Sequence, residues 1–289
     1  MRVVASSNRF PHNRNPMSAA PAKDIRLVAI DLDGTLLDDR KRVSAKTADA
    51  ISNLAASGVK VVIASARPPR SVRHIHAMLR LETWTINYNG ALIWDELSRK
   101  ALFHRPLPGP VVRQIIEHAR QVHPRVLVSC ELMDRWYTDR HDESYRTETG
   151  RLFPPDVIAP LETFFDVSMT KVLLAGDPPS MDTIEMSLGM AYDSDMCLIR
   201  TEPDLIQIMH RDASKAIALE MVAAHYGVSM ANVLAIGDAP NDLSMLRAAG
   251  TAVAMSNAHP AVKEIADWVA PSNNDHGVHA ALVRYGLCG

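Results

Sequence analysis

The sequence predicts an α/β protein: a parallel sheet flanked by helices, interrupted by a second unit of α+β type. Three observations point there. In residues 24–105, and again in 205–289, short apolar runs alternate with segments of helical period, the texture of strand–helix–strand units with right-handed crossovers. Between them, residues 106–204 open on Pro106, Pro108 and Pro110 and continue in short alternating runs, as a mainly antiparallel sheet does. Apolar runs in the flanking segments end in an acid, a hydroxyl or a glycine, and strand C-termini are where open α/β sheets place their sites.

Taken in order, Leu27-Val28-Ala29-Ile30 reads as a buried strand that gives out at Asp31-Leu32-Asp33-Gly34-Thr35, where Gly34 lets the backbone turn. Ser44 suits the N-cap of a helix with Ala48, Ile51, Leu54 and Ala55 on one face, and Gly58 ends it. Residues 59–64 form a second apolar run, leading into Ser65-Ala66-Arg67, and Pro68-Pro69 open a helix carrying Val72, Ile75 and Leu79. A third run, 84–88, leads to Asn89-Gly90, then a hairpin of 91–94 against 101–103. The insert holds a helix over 110–122, short runs at 126–128, 136–137, 167–169 and 171–174, and a further run at 196–199. Its Met-rich helix over 179–190 is expected to bury Met181, Ile184, Met186 and Met190, and Gly176-Asp177-Pro178 before it reads as a turn. A helix over 216–226 then precedes the run 232–236, which ends in Gly237-Asp238-Ala239-Pro240-Asn241-Asp242. A helix with Leu243, Leu246 and Ala249, the run 251–255, a helix from Pro260 and a last strand at 268–270 complete the pattern. Residues 1–23, rich in Pro, Asn and Arg with no apolar period, read as a disordered tail.

Composition excludes several functions. The net charge of -2, with no block of like charge, argues against nucleic acid as a partner. Cys130, Cys197 and Cys288 are far apart and form no CxxC pair, as in a reduced, cytoplasmic protein. No apolar stretch reaches the roughly 20 residues that span a bilayer. The expected partner is a small molecule, and the expected assembly a monomer or homodimer.

The strand ends carry the chemistry. Asp31, Ser65, and Asp238 with Asn241 and Asp242 are placed on one sheet edge, and Lys215 lies near the start of the preceding helix. Acids there outnumber cations and cannot all stay ionised without a metal; an oxygen-rich site of few protein ligands suits Mg²⁺. Ser65 and Lys215 offer a hydroxyl and a cation to a bound anion. Such a site suits phosphoryl transfer, with an aspartate as nucleophile and the aspartate two residues on as general acid/base.

These segments resemble the four motifs of the haloacid dehalogenase (HAD) superfamily. Asp31 to Leu37 resembles DxDGT; Ser65-Ala66-Arg67 resembles the second motif, with Ala66 in place of glycine. Lys215 resembles the third, with Asp212-Ala213 where Gly-Val is usual, and 237–242 resembles GDxxND. The long insert, Asn89-Gly90-Ala91 and Asp275-His276-Gly277-Val278 are similar to the Cof-type phosphatase branch. The resemblance implies a Rossmann-like parallel-sheet core (24–105 and 205–289) with an inserted α+β cap of type IIB (106–204). It implies Asp31 as nucleophile and magnesium ligand, and Asp33 as acid/base with its backbone carbonyl on the metal. It places Ser65, Lys215 and Asn241 at the phosphate and Asp238 and Asp242 at the metal. Arg67, Asn89 and Gly90 are candidates on the substrate side, as is His141 with Asp142 in the insert. The expected activity is hydrolysis of sugar phosphates, nucleotides or phosphorylated cofactors through an aspartyl-phosphate. A phosphomutase and a non-catalytic phosphometabolite-binding protein are the alternatives.

Overall fold

The computed structural model describes residues 24–140, 142, 148–192, 194 and 196–289. The proposed tail, 1–23, and His141 lie outside the described residues.

The first strand, β1 (Leu27–Ile30), is buried along its whole length, as expected of a strand covered on both faces. Ser44 caps α1 (Ala45–Ala56) by accepting the Thr47 N–H. After β2 (Lys60–Ile63), α2 (Pro69–Met78) starts on a proline, whose missing N–H would have had no helical partner. A three-stranded antiparallel sheet follows, β3 (Thr85–Asn87), β4 (Leu92–Asp95) and β5 (Lys100–His104). It touches the end of β2 through a bridge between Ala64 and Ile86.

The chain then builds α3 (Gly109–Val122), β6 (Leu127–Leu132), β7 (Arg135–Thr138), α4 (Glu148–Leu152), β8 (Val157–Ile158), β9 (Lys171–Ala175), α5 (Pro178–Tyr192), β10 (Met196–Glu202) and β11 (Leu205–His210). The strands form one sheet in the order β10-β11-β9-β6-β7-β8, antiparallel except between β7 and β8. Ile115 and Ile116 of α3 and Met181, Ile184 and Leu188 of α5 pack with Val128, Val172, Leu174, Ile206 and Ile208 on one face of this sheet. The alternate residues, Leu127, Leu173, Ala175 and Leu205, form a separate buried cluster on the other.

Two expectations fail in this unit. Residues 205–210 were expected in the second segment of the parallel-sheet unit. They are β11, which turns back on β10 at Pro203-Asp204 and pairs with β9. The apolar alternation of Ile206 and Ile208 completes the core under α3 and α5, so the chain leaves this sheet after His210. Met186 and Met190 are exposed, at 64% and 84%. The buried stripe of α5 runs through Met181, Ile184 and Leu188, and residues two positions away fall on the opposite side of a helix.

The return segment gives α6 (Lys215–His225), β12 (Val233–Gly237), α7 (Leu243–Ala248), β13 (Thr251–Met255), α8 (Pro260–Ile265), β14 (Trp268–Ala270) and α9 (Gly277–Arg284). The parallel sheet has the order β14-β13-β12-β1-β2. Leu27 lies opposite both Val233 and Lys60, so β12, β1 and β2 end side by side. That register puts Asp31, Ser65 and Asp238 on one edge, though they are distant in sequence.

Candidate active site

Asp31 follows the last residue of β1 and is buried. Its Oδ1 accepts from Lys215 Nζ at 2.6 Å, and the same ammonium donates to Asp242 Oδ1 at 2.6 Å. Lys215 is the first residue of α6, and its side chain is fully buried. Gly90 explains how that helix start comes so close. A Cβ on Gly90 would stand 2.1 Å from the Ser214 carbonyl oxygen, and its φ of +95° is one that favours glycine.

Asp242 uses both oxygens. Oδ1 holds Lys215, while Oδ2 accepts the N–H groups of Asp238 and Ala239, each at 3.0 Å. Asp238 accepts from Thr35 Oγ1 at 2.7 Å. Gly34 leaves the space next to it: a Cβ there would lie 2.3 Å from Asp238 Oδ2. Oxygens of Asp31, Asp238 and Asp242 lie within 4.8 Å of one another. Burial, and then repulsion from Asp242, pushes Asp31 well above the usual carboxylate range, against the pull of Lys215. Burial also pushes Asp238 up to about 6, although its bond from Thr35 opposes the shift. Lys215 keeps its charge: burial disfavours it, but Asp242 and Asp31 outweigh that and raise its pKa as well. Three acids and one cation in so small a space fit a hard divalent cation.

Asp33 points elsewhere. Arg67 grips it at both oxygens, Nε to Oδ2 at 2.7 Å and Nη2 to Oδ1 at 2.6 Å, and Lys41 Nζ donates to Oδ1 at 2.7 Å. Burial works against its charge, but the bonds from Arg67 and Lys41 prevail and bring it down to about 2. Ser65 is buried at the end of β2, where its N–H donates to Ile86 O and its Oγ accepts the Arg67 N–H. Asn89, at φ 53°, accepts from Asn241 Nδ2 at 2.9 Å.

A cavity of about 480 Å³ opens over this edge, between the strand ends and the free face of the six-stranded sheet. Asp31, Asp33, Ser65, Arg67, Asn89 and Asn241 line its floor. Gly90, expected on the substrate side, instead backs the start of α6. Asp275 and His276, in the segment resembling the Cof-type branch, bind Ser272 and Ser44 and so fasten the loop after β14 to the start of α1. Sequence reasoning missed Lys41, Glu131 and Lys171, which also line the cavity. Lys41 stands in a run of charges that reads as solvated surface, and nothing local marks it.

Comparisons with known proteins identify the family. A family model for haloacid dehalogenase-like hydrolases matches residues 28–282. The 5-amino-6-(5-phospho-D-ribitylamino)uracil phosphatase YitU of Bacillus subtilis is 32% identical over 267 residues, spanning 90% of this chain and 97% of that protein. Phosphatase YwpJ of the same organism is 28% identical over 282 residues, 88% of this chain and 97% of the other. A crystal structure of a haloacid dehalogenase-like hydrolase from Bacteroides thetaiotaomicron superposes with a TM-score of 0.82 at 28% identity, covering 90% of this chain and 99% of that one. With its motifs in order along one sheet edge, the chain belongs to the haloacid dehalogenase-like hydrolase family, in the Cof-type phosphatase branch.

Proposed function

We propose that this protein is a magnesium-dependent phosphatase of small phosphorylated metabolites, working through an aspartyl-phosphate. The observation that carries the reading is the buried contact of Asp31 with Lys215, set beside Asp238 and Asp242 at the floor of a cavity of metabolite size. Asp31, Asp238 and the Asp33 backbone carbonyl would hold Mg²⁺. Asp242, with its oxygens engaged by Lys215 and two backbone N–H groups, orients Lys215 and would add its negative charge beside the ion. When bound, the ion neutralises charge on the nucleophile and on the phosphoryl oxygens.

The protein's own groups do the rest. An Asp31 oxygen attacks phosphorus, and the ester oxygen leaves with a proton from Asp33. Asp33 then takes a proton from water, which attacks the aspartyl-phosphate, releases inorganic phosphate and restores Asp31. Lys215, Ser65 and Asn241 hold the phosphoryl oxygens. Asp33 can carry a proton only once Arg67 and Lys41 turn from it to the incoming phosphate dianion; held as it is, its carboxyl is too acidic. Residues 106–204, extended through β11, act as a cap that keeps bulk water from the reaction. The named activity of YitU supports a phosphorylated metabolite as substrate, and the absence of a nucleic-acid or membrane signature in the composition supports a small-molecule enzyme of the cytoplasm.

Purified protein with Mg²⁺ should hydrolyse p-nitrophenyl phosphate, and Asp31→Asn should abolish it. Full activity in Asp31→Asn would refute the assignment of the nucleophile.

A further inference from the structure

The cavity roof is the free face of the six-stranded sheet, and its cations are already matched. Two cations line the cavity from this side among the described residues, Lys171 and Arg200. Arg200 lies opposite Ile206, whose side chain is in the core beneath α3 and α5, so Arg200 also points to the helix side. There its guanidinium binds Glu185 at 2.9 Å and Asp182 at 3.2 Å on α5. Lys171 faces the cavity, but its Nζ is 2.7 Å from Glu131 Oε1, and both side chains are only 6% exposed. Glu131 is held in turn by Arg70 Nη2 at 2.5 Å and lies 2.9 Å from the Tyr88 hydroxyl. Beside this pair the roof continues as Leu173, Leu205, Ile199 and Gln207. The remaining cations at the cavity, Arg67 and Lys41, stand on the floor around Asp33, at the phosphoryl end.

A leaving group therefore meets apolar carbon, an amide, the Thr149 hydroxyl, a neutralised ion pair and, at the edge of the roof, the Glu202 carboxylate, which repels a second anion further. A second phosphate or carboxylate would be stripped of water with no available cation to receive it, and would approach the Glu131 carboxylate along with Lys171. We propose that this protein selects phosphomonoesters whose leaving group carries no second anion, with the Glu131–Lys171 pair as the selector; this rests on the phosphatase reading above. Hydroxyl-bearing leaving groups with an apolar face fit the roof, and bisphosphates and phosphorylated acids do not.

The test compares kcat/KM, with Mg²⁺, for glycerol 3-phosphate against 3-phosphoglycerate and for fructose 6-phosphate against fructose 1,6-bisphosphate. The uncharged leaving group of each pair should be favoured at least tenfold. Glu131→Gln removes the carboxylate that neutralises Lys171, so the ratio should fall at least tenfold. Lys171→Met keeps Glu131 bound to Arg70, and the ratio should hold or rise. Turnover of p-nitrophenyl phosphate by the wild type without discrimination within the pairs overturns the selector alone. So does a Glu131→Gln protein that turns over p-nitrophenyl phosphate at an unchanged ratio. If Glu131→Gln does not fold, the wild-type pairs and Lys171→Met still decide. Absence of turnover on every ester, p-nitrophenyl phosphate included, overturns the phosphatase reading and the selector with it.

Discussion

Two buried charged clusters lie on opposite sides of one cavity, and they differ in the balance of their charges. The floor cluster sets Asp31, Asp238 and Asp242 against Lys215, three acids to one cation. The cluster behind the roof sets Glu131, Asp134 and Glu96 against Arg70, Arg73 and Lys171, three to three. The consequences are opposite. Burial drives Asp31 and Asp238 above the usual carboxylate range, and one lysine cannot reverse it. Burial pushes Glu131 the same way, but Lys171 and Arg70 outweigh it and hold Glu131 below its ordinary value. The roof cluster is balanced in charge, though burial still raises Glu96 against the pull of Arg73, and it fastens α2 and Tyr88 to β6, β9 and Asp134. The floor cluster is incomplete without an added cation. Similar residues at similar burial thus serve attachment in one place and binding in the other, and the surplus of charge decides which.

The comparison breaks first under substitution of one acid in each cluster. Asp31→Asn should reduce turnover by about 10⁴-fold or more, as loss of a nucleophile does. It should leave the unfolding free energy unchanged or higher, because it relieves repulsion among the surplus acids. Glu131→Ala should do the reverse to stability. It strands Arg70 and Lys171 without their shared counter-charge, and removing one partner of a buried pair costs about 3–5 kcal/mol. Urea unfolding measures both. A destabilised Asp31→Asn, or a Glu131→Ala as stable as the parent, would remove the distinction.

Metal separates the clusters next. Mg²⁺ at about 100 times its dissociation constant should stabilise the wild type by about 2.7 kcal/mol. Asp238→Asn should lose most of that gain, whereas Lys171→Met should keep it. An equal magnesium shift in wild type and Asp238→Asn, read by thermal unfolding, would place the ion elsewhere.

The floor was legible in the sequence because each of its parts follows a short apolar run or opens a helix. Asp31 ends one run, Asp238 another, and the parallel register that unites them follows from the strand–helix alternation. Lys215 was legible as a nearby cation from its place at the helix start before β12, but its burial was not, since a lysine there is ordinarily solvated. The roof was opaque. Glu131 and Lys171 sit in alternating strands whose two faces look alike in sequence, and their pairing depends on the register of β6 against β9. Tertiary pairing likewise decided β11, whose apolar alternation fits either unit, and the exposed Met186 and Met190, whose composition alone suggested core. The grip of Arg67 and Lys41 on Asp33 belongs to the same class: motif spacing places the backbone but not the partner of a long side chain.

The smallest expected effect is in the pH dependence of stability, measured on chelated protein so that no metal competes with protons. Asp238 has a folded pKa of about 6 against an unfolded value of 3.8. The folded state therefore binds the extra proton between those values. The stability this contributes is fully present below about 3.8 and is lost as pH rises through about 6. Glu131 is depressed below its unfolded 4.5, so the sign inverts. Its contribution is full above about 4.5 and declines as pH falls further. On acidification from neutrality the wild type should first gain stability from the floor, then lose it from the roof, giving a maximum in the acid range. Asp31, raised by burial as well, adds to the same gain, so Asp238→Asn should reduce the limb between about 4 and 6 and leave the lower one. Glu131→Gln should reduce the lower limb, to which Asp33 also contributes, and leave the upper. If the upper limb survived in a protein carrying both Asp238→Asn and Asp31→Asn, the gain on acidification would have another source, and the floor would carry no excess of acid in the folded protein.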